Sequence, residues 1–214
     1  MSYDLLLIPS GVASDPTEVE AYLASQEGRD EAAEAAEIAA ELNARNAELP
    51  EEESFLSVAP IGGTPYGTVL HIPSPYDAIG FVRNLVFELA TPRDYAIFDP
   101  QLNWLIDPAG HIPVTVTHGG AGEFPYLTET LAGLWVRELG EPSPYLIVER
   151  EPQFYIQTYR NAGEDFTLEY RDGGPDRHFG TQVSGAAAVA DLIWDWTRQE
   201  RARLDELSWE QLEM

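Results

Sequence analysis

The C-terminal half of the chain contains four short segments typical of strands, and they constrain its fold more than any other feature. Two turn sequences, Asn-Ala-Gly at 161–163 and Asp-Gly-Gly-Pro at 172–175, separate the later segments. Links of this composition favour tight β-hairpins. We therefore predict an antiparallel meander of four strands, at residues 145–148, 154–159, 166–170 and 177–181.

Helices are predicted on both sides of this meander in the sequence. Residues 126–139 place Leu131 and Trp135 at helical spacing, and Gly140 and Pro142 end this pattern. Residues 185–204 show the same spacing, with Trp196 on the apolar side. The C-terminal half is thus predicted as a helix, a four-stranded meander and a helix.

The N-terminal half alternates short apolar segments with helical patterns. A helix is expected to begin at Asp15, because aspartate caps helices and the next residue is proline. The predicted order β-α-α-β-β-α-β-β indicates helices on one face of a largely antiparallel sheet. After a first strand at 3–8, the later elements are a helix at 30–49, strands at 54–59 and 67–72, a helix at 75–89, and strands at 95–98 and 103–106.

The fold class is therefore predicted as α+β, with two small helix-on-antiparallel-sheet units that could pack as one compact protein. The boundary is expected in the Asp-Pro-Ala-Gly sequence at 107–110 or in the glycine-rich residues 119–122. We place it so that residues 1–109 form an N-terminal domain and residues 110–214 a C-terminal domain.

The chain contains neither lysine nor cysteine, and this composition excludes several kinds of chemistry. Without lysine there is no Schiff-base enzyme and no lysine-bearing phosphate loop. Without cysteine there is no thiol nucleophile, no disulfide and no cysteine-ligated zinc. We predict a non-enzymatic protein with no cofactor and no bound metal.

The 12 basic residues are all arginines and oppose 37 carboxylates, so the formal net charge is -25. Such a charge repels nucleic acid and anionic lipid and attracts basic proteins. The first residues read as a strand ending at Pro9 rather than as a signal peptide, and no apolar stretch reaches the roughly 20 residues of a membrane span. We predict a cytoplasmic protein whose partner is basic, with no nucleic acid or membrane as partner. Alternatively, the charge serves general solvation.

One helical pattern carries a regular series of glutamates. They recur every seven residues from Glu27, and two more fall close to the same stripe. We interpret the series as an anionic ridge that binds a basic partner. The alternative is an ordinary solvated face opposite Ile38 and Leu42. The ridge residues assigned to partner binding are Glu27, Glu31, Glu34 and Glu41.

The strand predicted at 154–159 alternates between an apolar face and a polar, aromatic face. Tyrosine provides contact area at low entropic cost, so the polar face is a candidate protein-binding surface. Alternatively, the tyrosines pack against the last helix. The assigned residues are Tyr155, Gln157 and Tyr159, Glu169 on the next strand, and Asp172 and Asp176 at an acidic hairpin tip.

Catalytic motifs are weak in this sequence. The His-Gly-Gly sequence at 118–120 could supply oxyanion-hole amides, but the Gly-x-Ser-x-Gly motif of such esterases is absent. His111 and His118 do not combine with Asp99 and Asp107 in any recognised metal-ligand spacing. The enzyme alternative is a carboxylate-dependent hydrolase between the two halves, near Asp99, Asp107 and His118.

Several short runs resemble known families. Residues 1–5 (Met-Ser-Tyr-Asp-Leu) and 95–101 (Tyr-Ala-Ile-Phe-Asp-Pro-Gln) resemble a group of uncharacterised actinobacterial proteins. The C-terminal part resembles small immunity proteins of bacterial polymorphic toxin systems. The runs that carry this second resemblance are Phe-Tyr-Ile-Gln at 154–157, Phe-Thr-Leu-Glu-Tyr at 166–170 and Asp-Arg-His-Phe at 176–179, followed by a helix and Ser208-Trp209.

The resemblance to immunity proteins implies a non-enzymatic cytoplasmic protein that neutralises a cognate toxin by direct binding. It provides no catalytic residues. Since toxins that attack nucleic acid are usually basic, this expectation agrees with the acidic charge of the chain. The leading hypothesis is a stoichiometric toxin inhibitor. The alternatives are the hydrolase described above and a nucleic-acid mimic that binds several unrelated basic proteins.

Overall fold

The computed structural model describes residues 2–212 and divides the chain into two compact units, Met1–Ala109 and Gly110–Met214. We call them the N-terminal unit and the C-terminal unit. Each has its own antiparallel sheet and its own helices, so the predicted α+β class is confirmed. Within residues 2–212, none of the helices combines the length and apolar character needed to cross a membrane.

The N-terminal unit has a four-stranded sheet in the order β2-β1-β3-β4. Its first helix begins as the sequence predicts, because the Asp15 carboxylate accepts hydrogen bonds from the backbone N–H groups of Thr17 and Glu18. The elements are β1 (Ser2–Pro9), α1 (Pro16–Gln26), α2 (Ala33–Ala47), β2 (Leu70–Pro75), α3 (Ile79–Ala90), β3 (Tyr95–Asp99) and β4 (Trp104–Ile106).

Helices lie on both faces of this sheet, so the prediction of a single covered face is wrong. Ile8 and Phe98 belong to one buried cluster with Val19 of α1. The residues next to Ile8 and Phe98 along their strands point to the opposite face of the sheet. On that face, Arg83 of α3 comes within 3.4 Å of the Asp99 carboxylate. Helix α2 lies beside α3, because Arg45 of α2 forms an ion pair with Glu88 of α3.

The prediction of a strand at residues 54–59 is wrong. A short 3-10 turn, Glu51–Glu53, precedes irregular backbone there. The reason is a side chain: the buried Oδ1 atom of Asn46 accepts hydrogen bonds from the backbone N–H groups of Phe55 and Leu56, at 2.9 and 3.1 Å. An asparagine therefore supplies the acceptors that a neighbouring strand would otherwise provide.

The C-terminal unit has a seven-stranded antiparallel sheet in the order β11-β10-β9-β8-β7-β5-β6. The predicted meander is present as four consecutive strands, and three further strands extend it. The elements are β5 (Ile112–His118), β6 (Gly122–Leu127), α4 (Glu129–Glu138), β7 (Tyr145–Glu151), β8 (Phe154–Arg160), β9 (Asp165–Asp172), β10 (His178–Ser184), α5 (Ala186–Thr197), α6 (Ala202–Asp205) and β11 (Glu210–Gln211).

The glycine-rich residues 119–122 connect β5 to β6 as a hairpin turn, so they are not a link between domains. Gly119 is closely packed there, because a Cβ atom at this position would lie 2.2 Å from the carbonyl oxygen of Ser143. Tyr126 lies in β6 rather than in the predicted helix. Helix α4 begins only after Thr128, whose hydroxyl accepts a hydrogen bond from the backbone N–H of Leu131.

Helices α4 and α5 pack together, and α5 contacts strands β7 to β10. Ile156 and Leu168 face these helices and are fully buried. The helix predicted at 185–204 is interrupted, because Gln199 adopts a positive φ of 62° between α5 and α6. The strand residues that alternate with Ile156 and Leu168 lie on the opposite, open face of the sheet.

Candidate functional site

The open face of the seven-stranded sheet brings together most of the strand residues predicted to bind a partner. The register pairs Gln157 with Glu169 and with Ile147, so these three side chains form one row across β7, β8 and β9. Tyr145, Tyr159 and Thr167 form the next row. We call these six residues the open sheet face.

A cavity of about 290 Å³ lies on the open sheet face. Tyr145, Ile147 and Tyr159 provide apolar and aromatic walls, and Thr167 provides a hydroxyl. Tyr159 is 46% exposed, so its ring is accessible from solvent. Aromatic side chains that are accessible around a cavity are typical of binding surfaces.

Among residues 2–212, only Glu169 contributes a carboxylate to the lining of this cavity, and its side chain is 23% exposed. The amide nitrogen of Gln157 donates a hydrogen bond to Oε2 of Glu169 at 2.7 Å. The Nε2 atom of His178 lies 3.2 Å from the same oxygen. Both partners therefore use Oε2, and within residues 2–212 Oε1 has no hydrogen-bond partner.

A buried polar network fixes the histidine beside Glu169. The guanidinium of Arg171 lies 3.3 Å from Nδ1 of His178, and a guanidinium can only donate. Nδ1 is therefore the acceptor, so Nε2 carries the proton and donates to Glu169. Arg171 also donates to Gln153 at 3.0 Å and lies 5.4 Å from the ring centre of Tyr155. Tyr155 thus belongs to the network beside the cavity.

The two predicted aspartates lie outside this arrangement. Asp172 is the register partner of Phe154, on the helix-covered side of the sheet, and its carboxylate forms an ion pair with Arg177. Asp176 lies in the 3-10 turn before β10. The hairpin tip is therefore acidic, but neither aspartate lines the cavity.

The predicted glutamate ridge is divided in the N-terminal unit. Glu34 and Glu41 are exposed on α2, whereas Glu27 follows α1 and Glu31 lies in the link between the helices. Gly28 breaks the helical path with a φ of 75°. Of the four ridge residues, only Glu34 and Glu41 therefore lie on one helix, and the assignment of all four to partner binding stays a prediction.

Two glutamates of this series, Glu31 and Glu41, have different partners within the unit. The Glu31 carboxylate accepts a hydrogen bond from the backbone N–H of Gly63, so it braces a loop. Arg45 binds both Glu41 and Glu88 at 2.9 Å, and it holds the pKa of Glu88 below its usual range. Part of the negative charge on α2 is therefore compensated within the unit.

The residues of the hydrolase alternative have structural contacts within their own units. Asp99 is completely buried and accepts a hydrogen bond of 2.6 Å from Tyr3. Burial, together with that hydrogen bond to Asp99, raises the pKa of Tyr3. Asp107 accepts hydrogen bonds from the hydroxyl of Ser10 and the backbone N–H of Gly11.

His118 lies at the end of β5 and is buried. Burial lowers its pKa, and Nδ1 accepts a hydrogen bond of 3.1 Å from the backbone N–H of Gly120. The neutral imidazole thus stabilises the hairpin turn. Among residues 2–212, no group of three or more histidines, aspartates or glutamates is arranged to hold a metal ion.

Sequence reasoning missed four residues of the site: Tyr145, Ile147, Thr167 and His178. The strand at 145–148 is apolar on both faces, so its pattern shows no alternation. His178 could have been found from the turn at 172–175, since this hairpin pairs it with Arg171. The chain matches no protein-family model, no curated protein and no solved structure.

Proposed function

We propose that the protein is an acidic binding protein that neutralises a basic protein partner, and specifically an immunity protein that inhibits a cognate toxin by stoichiometric binding. One observation carries this proposal. The Glu169 carboxylate lies in an accessible cavity that two tyrosines also line; neighbours fix one of its oxygens, and within residues 2–212 the other oxygen has no hydrogen-bond partner.

This arrangement suits the end of an arginine or lysine side chain. The cation pairs with Oε1 of Glu169, and the rings of Tyr145 and Tyr159 offer faces for cation–π contacts. Ile147 offers apolar surface for the aliphatic stem. Because a water molecule occupies about 30 Å³ of liquid, a cavity of about 290 Å³ has room for a long side chain.

The charge of the whole chain supports association with a basic partner. The C-terminal unit has eighteen carboxylates and eight arginines, and the N-terminal unit has nineteen and four. A field of this sign accelerates encounter with a positively charged protein, and salt screens it. The association rate should therefore fall steeply as ionic strength rises.

The resemblance to immunity proteins supports the specific form of the proposal. Its three runs, at 154–157, 166–170 and 176–179, contribute Gln157, Glu169 and His178. These residues form the hydrogen-bonded centre of the site. The runs that carry the resemblance thus contribute three of the six residues of the open sheet face: Gln157, Thr167 and Glu169.

The first experiment is affinity capture from native lysate at low salt, followed by a salt step and mass spectrometry. We expect one basic protein in equimolar amount, toxic when expressed alone and harmless when expressed with this chain. Several unrelated nucleic-acid-binding proteins in the eluate would instead indicate a nucleic-acid mimic.

The purified partner then tests the site directly. Glu169→Gln should weaken binding at least tenfold, since a charge-assisted hydrogen bond contributes about 1.5–3 kcal/mol. Glu206→Gln removes the same charge at an exposed position that does not line this cavity and should change the affinity less than twofold. Equal effects of the two substitutions would show that the cavity is not the contact.

A further inference from the structure

A second cavity, of about 310 Å³, lies in the N-terminal unit. It opens over the strand pair β1 and β2, where Leu6 and His71 are register partners. Its lining combines apolar side chains, an exposed tyrosine and one carboxylate: Leu6, Leu23, Glu27, Thr64, Tyr66, Val69 and His71.

Backbone hydrogen bonds hold the two loops at the rim of this cavity. The N–H of Gly28 donates to the carbonyl of Pro65 at 2.8 Å, and the N–H of Gly67 donates to the carbonyl of Arg29 at 3.1 Å. The N–H of Ala32 donates to the carbonyl of Gly67 at 2.7 Å. Because both loops are fixed to each other, the backbone at Glu27 and Tyr66 is positioned before any ligand arrives.

The polar groups of the cavity differ in their partners. His71 lies 3.2 Å from the carboxylate of Asp4, so its Nε2 atom is already engaged. The Glu27 carboxylate has no hydrogen bond or ion pair within residues 2–212. Tyr66 is 47% exposed at the same rim. The cavity thus has apolar walls and a carboxylate and an aromatic ring at its edge.

We propose that this cavity binds a primary ammonium or a guanidinium group carried on an aliphatic chain. The chain contacts Leu6, Leu23 and Val69, and the cation pairs with Glu27 beside the ring of Tyr66. An anionic ligand would meet nineteen carboxylates and four arginines in this unit. A neutral apolar ligand would desolvate Glu27 without pairing it.

This inference stands apart from the proposed function, because it concerns the other unit and requires no protein partner. The same chemistry occurs in free aliphatic amines and in arginine or lysine side chains of a peptide. The test therefore titrates the full chain with pentylamine, 1,5-diaminopentane and an arginine-containing peptide with blocked ends. 1-Pentanol serves as the uncharged comparison of equal chain length.

Amide chemical shifts of Thr64 and of residues 66–71 report the binding. We expect saturable shifts with the cationic probes and at least tenfold weaker binding of 1-pentanol. Tighter binding of the diamine than of the peptide would identify a free amine as the ligand, and the reverse order would identify a side chain. Absent shifts, or equal affinity for 1-pentanol, would overturn the proposal.

Glu27→Gln tests the carboxylate and Glu20→Gln is its control. Both residues are exposed, and the two substitutions change the net charge equally, but Glu20 does not line the cavity. We expect Glu27→Gln to weaken binding of the cationic probes at least tenfold, with less than a twofold change for Glu20→Gln. Equal losses would show that the probes respond only to net charge.

Discussion

Replacing Gly119 by alanine should destabilise the C-terminal unit strongly, whereas the same change at its neighbour Gly120 should not. A Cβ atom at Gly119 would lie 2.2 Å from the carbonyl oxygen of Ser143 and 2.8 Å from the ring of Tyr145. At Gly120 its nearest neighbour is the ring of His118, at 3.5 Å, which is ordinary contact. Neither glycine has a positive φ, so only the available space separates the two positions.

The magnitude follows from two contributions. Forcing an extra methyl group into packed surroundings costs about 1–3 kcal/mol. The N–H of Gly119 also donates to the carbonyl of Tyr145 at 2.9 Å, and losing that hydrogen bond costs about 1 kcal/mol. We therefore expect Gly119→Ala to lower the free energy of unfolding by about 2–4 kcal/mol.

Urea unfolding followed by tryptophan fluorescence measures this difference, since four of the five tryptophans lie in the C-terminal unit. With a urea dependence of about 2 kcal/mol per molar, the midpoint for Gly119→Ala should fall by about 1–2 M. Gly120→Ala should stay within about 0.5 M of the parent. Identical midpoints for the two variants would refute the steric argument.

Two further predictions concern single side chains. His118→Asn should flatten the dependence of stability on pH between 7 and 5. Burial lowers the pKa of His118, so its neutral form stabilises the fold fully above the unfolded-state pKa of 6.5. This stability is lost as pH falls through the folded-state pKa. Thermal unfolding across this range measures it, and parallel curves for parent and variant would contradict it. Asn46→Ala should cost about 2–4 kcal/mol, because two buried N–H groups lose their acceptor. Asn46→Asp keeps that acceptor and should lower the free energy of unfolding less. Hydrogen exchange in the N-terminal unit measures both losses, and equal losses would contradict the assignment of Asn46 Oδ1 as the acceptor of these two N–H groups.

The meander was predictable because its turns contain residues with specific backbone preferences. Asn161 and Gly163, and the glycines at 173 and 174, define the ends of the strands locally. Strands β5 and β6 were not predicted, because Pro113 and Pro125 interrupt their patterns. The false strand at 54–59 depends on a contact that spacing does not reveal, the hydrogen bonds from the backbone of this segment to Asn46.

The site was predictable where its residues lie on a strand, because successive side chains of a strand alternate between the two faces of the sheet. Tyr155, Gln157 and Tyr159 share a face in the structure because a strand alternates its side chains. Glu27 and Glu31 were assigned to a ridge by helical spacing, which holds only while the helix is continuous, and Gly28 ends that continuity. The cavity itself depends on the register of three strands and therefore on long-range pairing.

The outer strands of the large sheet limit how another protein can associate with it. Strand β6 contains Pro125, which has no N–H to offer, and β5, its neighbour, bulges between Pro113 and Val116. Strand β11, at the other side, has two residues. Edges of this kind resist the addition of a foreign strand and hinder edge-to-edge aggregation. A bound protein should therefore lie across the sheet and recognise side chains, and its own contact segment need not be extended.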